Sequence, residues 1–233
     1  MKKIIVTGGA GFIGSNLCEA LSSNPLNQVS VLDNYLTGLV ANHIEGVEYI
    51  NGDTCDIDRL IKFSPDIVYH LGEYSRVEQS FEDIELIYKS NIIGTFKVIQ
   101  FCQKHKCKLV YAGSSTKFGD NGNGRNQSPY GWSKASNVDL VKNFGDWYGL
   151  EYAITYFYNV YGKREISNGK YATLIALFTE KYKNNQPLTV VNPGTQVRNF
   201  THVDDIVNGV ILVGEHGLGD GYGIGTNVSF SIL

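Results

Sequence analysis

Ile4-Ile5-Val6-Thr7-Gly8-Gly9-Ala10-Gly11-Phe12-Ile13-Gly14 opens the chain, and Val29-Ser30-Val31-Leu32-Asp33 follows it. Ile4, Ile5 and Val6 are β-branched and read as a short strand, the glycines as a turn, and Ile13, Leu17, Ala20 and Leu21 as one face of a helix over Ile13 to Ser22. Val29 to Leu32 reads as a second strand that ends on an acid. The glycines fit two registers at once, Gly9-x-Gly11-x-x-Gly14 and Thr7-Gly8-x-x-Gly11-x-x-Gly14. Glycine there makes a tight turn, lets the backbone approach a pyrophosphate, and lets the helix pack close to the strand while its N-terminus faces the anion. Asp33 stands nineteen residues after Gly14, at the end of a strand, which is the context a dinucleotide fingerprint requires. It would accept hydrogen bonds from the adenosine ribose hydroxyls and repel a 2′-phosphate, so NAD is expected rather than NADP.

The alternation continues outward from this unit. Val47 to Ile50 reads as a strand leading into Gly52-Asp53, where Asp53 either meets the adenine amino group or caps a helix over Ile57 to Phe63. Ile67 to Leu71 reads as a buried strand. Ile84 to Lys104, with apolar residues at Ile84, Ile87, Ile92, Phe96, Ile99 and Phe101, reads as one long helix. Leu109 to Ala112 is a further strand, ending at Gly113-Ser114-Ser115-Thr116. Strands alternating with helices of this length predict an α/β, Rossmann-type doubly wound parallel sheet, with ligands at the carboxyl ends of its strands. The informative residues fall there.

Tyr130-Gly131-Trp132-Ser133-Lys134 is a Tyr-x-x-x-Lys unit. On a helix its phenol and ammonium share a face about one turn apart. An ammonium beside a phenol favours the phenolate and brings a group that ordinarily titrates near pH 10 toward use as a base. In isolation the pattern is far more often that of a solvated helix face.

Composition bounds the partners. The 233 residues carry a formal net charge of −3, with 18% charged and 42% hydrophobic residues. These values describe an ordinary globular chain with ample core and no basic footprint for nucleic acid. Lys2-Lys3 precedes Ile4-Ile5-Val6, but that apolar run is too short for a signal-peptide core, and no window reaches the eighteen apolar residues of a membrane span. Cys18, Cys55, Cys102 and Cys107 show no C-x-x-C pairing and no zinc spacing, so no metal is expected and they read as reduced thiols of a cytoplasmic protein.

Taken together, Thr7-Gly8-Gly9-Ala10-Gly11-Phe12-Ile13-Gly14, Asp33-Asn34, His70-Leu71-Gly72, Asn91-x-x-Gly94-Thr95, Ser114-Ser115-x-x-Phe118-Gly119 and Tyr130-x-x-x-Lys134 resemble, in order and spacing, the extended short-chain dehydrogenase/reductase family. More narrowly, the chain resembles its NAD-dependent nucleotide-sugar epimerases and dehydratases, of the UDP-glucose 4-epimerase type. The likeness continues through Tyr158-Asn159-Val160-Tyr161-Gly162 and Arg198-Asn199-Phe200-Thr201-His202-Val203-Asp204-Asp205.

The resemblance implies a catalytic set of Ser114, Tyr130 and Lys134. Tyr130 would exchange the proton of a sugar hydroxyl, Ser114 would hydrogen-bond the same oxygen, and Lys134 would hold the nicotinamide ribose. It implies NAD contacts at Gly8, Gly11, Phe12, Ile13, Gly14, Asp33, Asn34, Asp53, Thr54, Leu71 and Gly72, with Tyr130 and Lys134. It places the nucleotide-diphosphate sugar against Ser114, Ser115, Asn159 and Arg198; the planar fork of an Arg suits phosphate oxygens. In the family's 4,6-dehydratases an Asp-Glu pair follows the catalytic hydroxyl residue. Here Ser115 and Thr116 stand in those places, and neither can be an ionised acid or base. What the resemblance leaves is epimerisation, most often at C4. A related dehydratase, dehydrogenase or reductase and a non-catalytic NAD-binding regulator are the alternatives.

Two departures stand out. Gly72-Glu73-Tyr74 replaces the small residues usual after His-Leu, so Glu73 either acts near the sugar or only hydrogen-bonds its loop. Phe118 replaces a Tyr, without consequence for the reading. The glycine-rich loop between Asp120 and Gln127 reads as a lid beside the site or as a surface connection.

The Rossmann domain is expected over residues 1–162, with 196–228 returning to it. The substrate lobe is expected from 163–195 and 229–233, with a helix between Gly169 and Asn185, a strand Leu188-Thr189-Val190-Val191 and a turn at Asn192-Pro193-Gly194. Asp204-Asp205 would start a helix over Ile206 to Val213, no metal site is expected at the His202-x-Asp204-Asp205 run before it, and Tyr222 to Gly225 would form a late strand. Family members continue well beyond Leu233, which implies an incomplete lobe. The helices 84–104 and 131–148 pair across a two-fold axis in the family, implying a homodimer; the extra apolar residues Leu140, Phe144 and Trp147 suit that reading, and equally one in which the helices only cover the sheet.

Overall fold

The structure, a computed structural model, describes residues 1–118, 120–190 and 194–232, with the backbone alone for 120–122. Its centre is a seven-stranded, wholly parallel sheet in the order β3-β2-β1-β4-β5-β6-β10. These are β1 (Lys2–Thr7), β2 (Asn27–Asp33), β3 (Glu48–Asn51), β4 (Ile67–His70), β5 (Lys108–Ser114), β6 (Tyr152–Phe157) and β10 (Gly219–Ile224). The expected late strand is thus β10, although Gly225 lies just past its end.

Side-chain alternation along β1 explains the layers. Ile5 joins a core with Val98, Ile99 and Cys102 of α4 (Thr95–His105) and Val138 and Val141 of α5 (Pro129–Tyr148). Ile4 and Val6 face the opposite way, toward Leu17 of α1 (Phe12–Ser22) and Ile206, Val207 and Val210 of α7 (Val203–His216). Each buried aliphatic side chain contributes about 1.5–3 kcal/mol, so both faces must be covered, which parallel strands joined by helical crossovers achieve. The strand order reverses between β1 and β4, opening a crevice at their carboxyl ends.

Several elements differ from the sequence reading. The helix expected over Ile57 to Phe63 is one turn, α2 (Ile57–Leu60); Ile61 turns extended and buries its side chain in the core instead. The helix expected over Ile84 to Lys104 is broken into α3 (Ile84–Ile87), a π-helical turn Tyr88–Gly94, and α4. Such a turn holds an extra residue, and this one carries Asn91 and Ser90 to the loop after β4. The helix expected between Gly169 and Asn185 begins only at α6 (Leu174–Lys183), because Gly169 to Thr173 is taken up by turns closed by Ala172 N–H on Gly169 O and Thr173 N–H on Ile166 O.

Leu188, Thr189 and Val190 form no strand; Val191, and Asn192-Pro193 of the expected turn, lie outside the described residues, as does Gly119. The loop from Asp120 to Asn126 is wound into 3-10 turns. Two short pairings complete the chain: β7 (Val160–Tyr161) with β9 (Thr201–His202), and β8 (Val197–Arg198) with β11 (Phe230–Ser231). The second joins residues 197–198 to the C-terminal segment rather than to the main sheet.

Candidate active site

A cleft of about 730 Å³ runs along the carboxyl ends of the strands, lined from Gly8 through to Ile232. At one end the glycine turn is packed without room for side chains. Gly8 has φ +72, and a Cβ there would lie 2.8 Å from the backbone N and Cα of Gly72. A Cβ on Gly14 would lie 2.1 Å from the Gly8 carbonyl oxygen. No side chain caps α1 at Gly11, and Gly11, Phe12, Ile13 and Gly14 all line the cleft, so the helix presents its N-terminal amides there.

Asp33, buried at the end of β2, accepts N–H bonds from Ala10 at 2.9 Å and Tyr35 at 2.8 Å. Asn34, Thr54, Leu71 and Gly72 line the same region. Asp53 caps the turn Thr54–Asp56, accepting from Cys55 N–H at 3.0 Å, and pairs with Lys89 at 3.0 Å. Of the two readings of Asp53 the cap is thus realised, on a 3-10 turn rather than on α2, and its residue still lines the cleft. A backbone cradle that a Cβ would fill, an uncapped helix start and a strand-end acid together fit a dinucleotide.

Ser114, Tyr130 and Lys134 are brought to the middle of the cleft. Ser114 ends β5, and its Oγ accepts from Thr116 Oγ1 at 2.9 Å. Ser128 caps α5 by accepting from Gly131 N–H at 3.0 Å, and Pro129 sits in the first turn, which places Tyr130 at the helix entrance and Lys134 one turn on. Tyr130 packs against Tyr74 and Ile87.

Glu73 is where the structure adds most. It does not project toward the cleft mouth: its side chain is 1% exposed and pairs with Lys134, which is 7% exposed. Glu73 Oε2 accepts from Lys134 Nζ, while Oε1 accepts from Thr95 Oγ1 at 2.8 Å, Asn137 Nδ2 at 2.8 Å and Tyr111 OH at 3.1 Å. Lys134 also donates to the Ala112 carbonyl at 2.7 Å. Behind Thr95 stands His70, whose Nε2 is 2.9 Å from Thr95 Oγ1 and whose Nδ1 is 2.6 Å from Thr7 Oγ1. Burial pulls the His70 imidazole down to about 4, against the pull of Glu73 upward. Asn91, on the π-helical turn, holds the Tyr74 backbone by accepting from its N–H at 2.7 Å, and donates to Ser133 Oγ at 3.0 Å. Thr95, Asn137 and His70 carried no assigned role in the sequence; the motifs His70-Leu71-Gly72 and Asn91-x-x-Gly94-Thr95 were the available signals for two of them, and Asn137 had none.

On the far side of the cleft, Asn159 adopts φ +34 and donates to the Asn199 carbonyl at 3.2 Å. Arg198 is exposed, donates to the Val197 carbonyl at 2.9 Å, and lines the cleft with Ser115 and Asn159. Arg76 is an addition to the expected set. It lines the cleft, donates to the Tyr171 carbonyl from Nε at 3.0 Å, and burial lowers its guanidinium from the ordinary value, opposed foremost by the Tyr130 phenol. His202 caps α7 by accepting from Asp204 N–H at 3.3 Å. Among the described residues no group of three His, Cys, Asp or Glu side chains could hold a metal ion, and no helix is long and apolar enough to cross a membrane.

A family model described as the NAD-dependent epimerase/dehydratase family matches residues 4–225. The chain belongs to that family. Among curated relatives, it is 33% identical to a Methanocaldococcus jannaschii protein named "Putative UDP-glucose 4-epimerase", covering 90% of this chain and 72% of that one. It is 30% identical to the dTDP-D-glucose 4,6-dehydratase of Dictyostelium discoideum, covering all of this chain and 60% of that protein's length. A solved UDP-glucose 4-epimerase from Thermotoga maritima, with UDP-glucose, superposes with a TM-score of 0.91 at 28% identity, over 99% of this chain and 79% of that one. NAD is accordingly the cofactor of the family, and the members named act on nucleotide-sugars by more than one reaction.

Proposed function

We propose that this family member epimerises a nucleotide-diphosphate sugar, at C4, through a transient keto-sugar. The observation that carries the reading is that Ser114, Tyr130 and Lys134 line one cleft while the two positions after Ser114 hold hydroxyl residues rather than carboxylates. Ser115 and Thr116 follow it, the Thr116 hydroxyl is engaged with Ser114, and Glu73 is turned inward to Lys134. A dehydratase needs an acid–base group at the sugar's leaving hydroxyl, and these positions supply none.

The roles assigned in this reading are those the family resemblance implies. NAD, when bound, supplies the hydride acceptor and donor. The glycine turn and the amides at the start of α1 hold a pyrophosphate, and Asp33 holds the adenosine ribose. Tyr130 takes the proton of the sugar hydroxyl and later returns it, while Ser114 Oγ hydrogen-bonds the same oxygen and steadies the charge that develops there. Lys134 presents an N–H to a ribose hydroxyl. Asn159 and Arg198 bind the diphosphate across the cleft. The substrate side is assigned to 163–195 and 229–233, to which the pairing of β8 with β11 adds Val197 and Arg198, and the dinucleotide side to 1–162 and the rest of 196–228.

The protein is inferred to act in the cytoplasm as a homodimer. Exposed Ile84, Tyr88 and Ile93 support the pairing of helices. Of the residues expected to add to that face, Leu140 and Phe144 pack into the core, and Trp147 remains exposed.

The test is to denature purified protein and assay the supernatant for NAD, then incubate native protein with UDP-, GDP- and dTDP-sugars. An isomer of unchanged mass is the expected product. Loss of water would replace epimerisation with dehydration, and no turnover of any sugar would overturn the reading.

A further inference from the structure

We propose that Glu73 is the built-in counter-ion of Lys134, a positioning residue that fixes which way the ammonium points and limits how much of its charge reaches Tyr130. The proposal rests on the reading of Tyr130 and Lys134 given above.

Four donors converge on this one carboxylate: Lys134 Nζ on Oε2, and Thr95, Asn137 and Tyr111 on Oε1. Two of them, the Lys134 ammonium and the Asn137 amide N–H, can only donate. They lie on opposite oxygens, so a glutamine would set its NH2 against one of them whichever way it turned. The site is therefore built for an anion.

The hydrogen bonds behind it run in one direction. Gly72 N–H donates to Thr7 Oγ1 at 3.0 Å, so the Thr7 hydroxyl is free to donate to His70 Nδ1. His70, uncharged, then carries its proton on Nε2 and donates to Thr95 Oγ1, which donates to Glu73. This polarised chain begins at the backbone of Gly72, the residue packed against Gly8. It links the dinucleotide turn to Lys134 through the interior of the sheet.

Lys134 has three N–H bonds to give. Glu73 and the Ala112 carbonyl take two, which leaves one for a ligand hydroxyl in the cleft. The ionisable groups facing the pair are His70 on β4 and Tyr111 on β5, both uncharged; those facing Tyr130 are Tyr74 and Arg76 on the loop after β4, of which Arg76 adds a standing charge. With Glu73 present the pair is neutral as a unit; without it, the ammonium acts on Tyr130 unopposed and loses one of its two anchors.

Glu73→Ala and Glu73→Asp separate the two effects. In Glu73→Ala, NAD binds about tenfold more weakly by fluorescence titration, and the acidic limb of the pH–rate profile moves about one pH unit lower. Glu73→Asp keeps the charge, so its limb stays at the wild-type pH, while its shorter reach still weakens NAD binding. Wild-type affinity and an unmoved limb in Glu73→Ala would overturn the proposal.

A thermal-melting cycle on the NAD-free protein, using Glu73→Ala, Lys134→Ala and the double variant, tests the pair without any assay. The double variant should melt above Glu73→Ala, because it leaves no unpaired buried charge. Additive losses would overturn the pairing. If wild type binds NAD but turns over no sugar, the epimerase reading fails, while the affinity and melting results still decide the role of Glu73.

Discussion

Asp33 Oδ2 lies 2.9 Å from the backbone nitrogen of Ala10, so the acid at the end of the second strand braces the glycine turn. Its other oxygen accepts from Tyr35 N–H at 2.8 Å. Each carboxylate oxygen retains a lone pair for a ribose hydroxyl. Asp33→Ala should weaken NAD binding at least about tenfold, from the loss of hydrogen bonds to a charged group, and weaken NADP binding less because it removes a repulsion. Titrating both cofactors against the variant measures the ratio; an unchanged preference for NAD would refute the role.

Tyr130→Phe removes one oxygen and leaves a ring that packs the same way against Tyr74 and Ile87. Turnover should fall about 10²–10⁴-fold, the usual contribution of a positioned acid–base group, with NAD affinity within about threefold of wild type. Progress curves with a turned-over nucleotide-sugar, alongside NAD titration, read both. Activity near the wild-type level would remove Tyr130 as the base.

Gly8→Ala combines a left-handed backbone with a steric conflict, since φ is +72 and the new methyl meets Gly72 at 2.8 Å. The expected loss of stability is about 1–3 kcal/mol, with weaker NAD binding, because the turn must open to admit the methyl. Urea denaturation of the cofactor-free variant gives the first value and fluorescence titration the second.

His70 predicts an acid-sensitive fold. Burial lowers it from an ordinary value of 6.5 to about 4. Below pH 6.5 the unfolded chain takes up a proton that the fold refuses, so this contribution is present above pH 6.5 and is lost as pH falls toward 4. The loss amounts to roughly 3 kcal/mol at most. Glu19, held at about 2 by hydrogen bonds from Arg164 and then Lys163, loses its contribution only below pH 4.5. A slope in urea midpoint between pH 5 and 6.5 therefore belongs to His70, and should be much reduced in His70→Gln.

The inferred dimer has a direct check. Tyr88→Glu on the exposed face beside Ile84 should halve the mass seen by sedimentation without lowering the melting temperature of the isolated subunit. A wild-type chain that sediments as a monomer would remove the proposal.

The first βαβ unit was legible from sequence because its constraints are local: a strand, a turn only glycine can make, a helix and an acid lie within thirty-three residues. Ser114, Tyr130 and Lys134 were legible through spacing and family likeness, and the fold brings them to one cleft. The Glu73 site was not, because its partners lie 22, 38, 61 and 64 residues away on three elements, and no periodicity encodes their meeting. The run Leu188-Thr189-Val190 shows the opposite failure, since strand propensity is a preference that tertiary context overrides.

The π-helical turn Tyr88–Gly94 has a consequence for how this chain tolerates change in length. Removing one residue there would let the segment close into an unbroken α-helix, a more favourable local ladder. It would also rotate everything before the cut by about 100° relative to α4. Asn91 would leave the Tyr74 backbone, and the loop bearing Glu73 would lose its support from that side. A shortening that most surface loops absorb would thus trade a better helix for a displaced active-site loop, and a screen of single-residue deletions should show this π-helical turn as less permissive than the wound loop Asp120–Asn126.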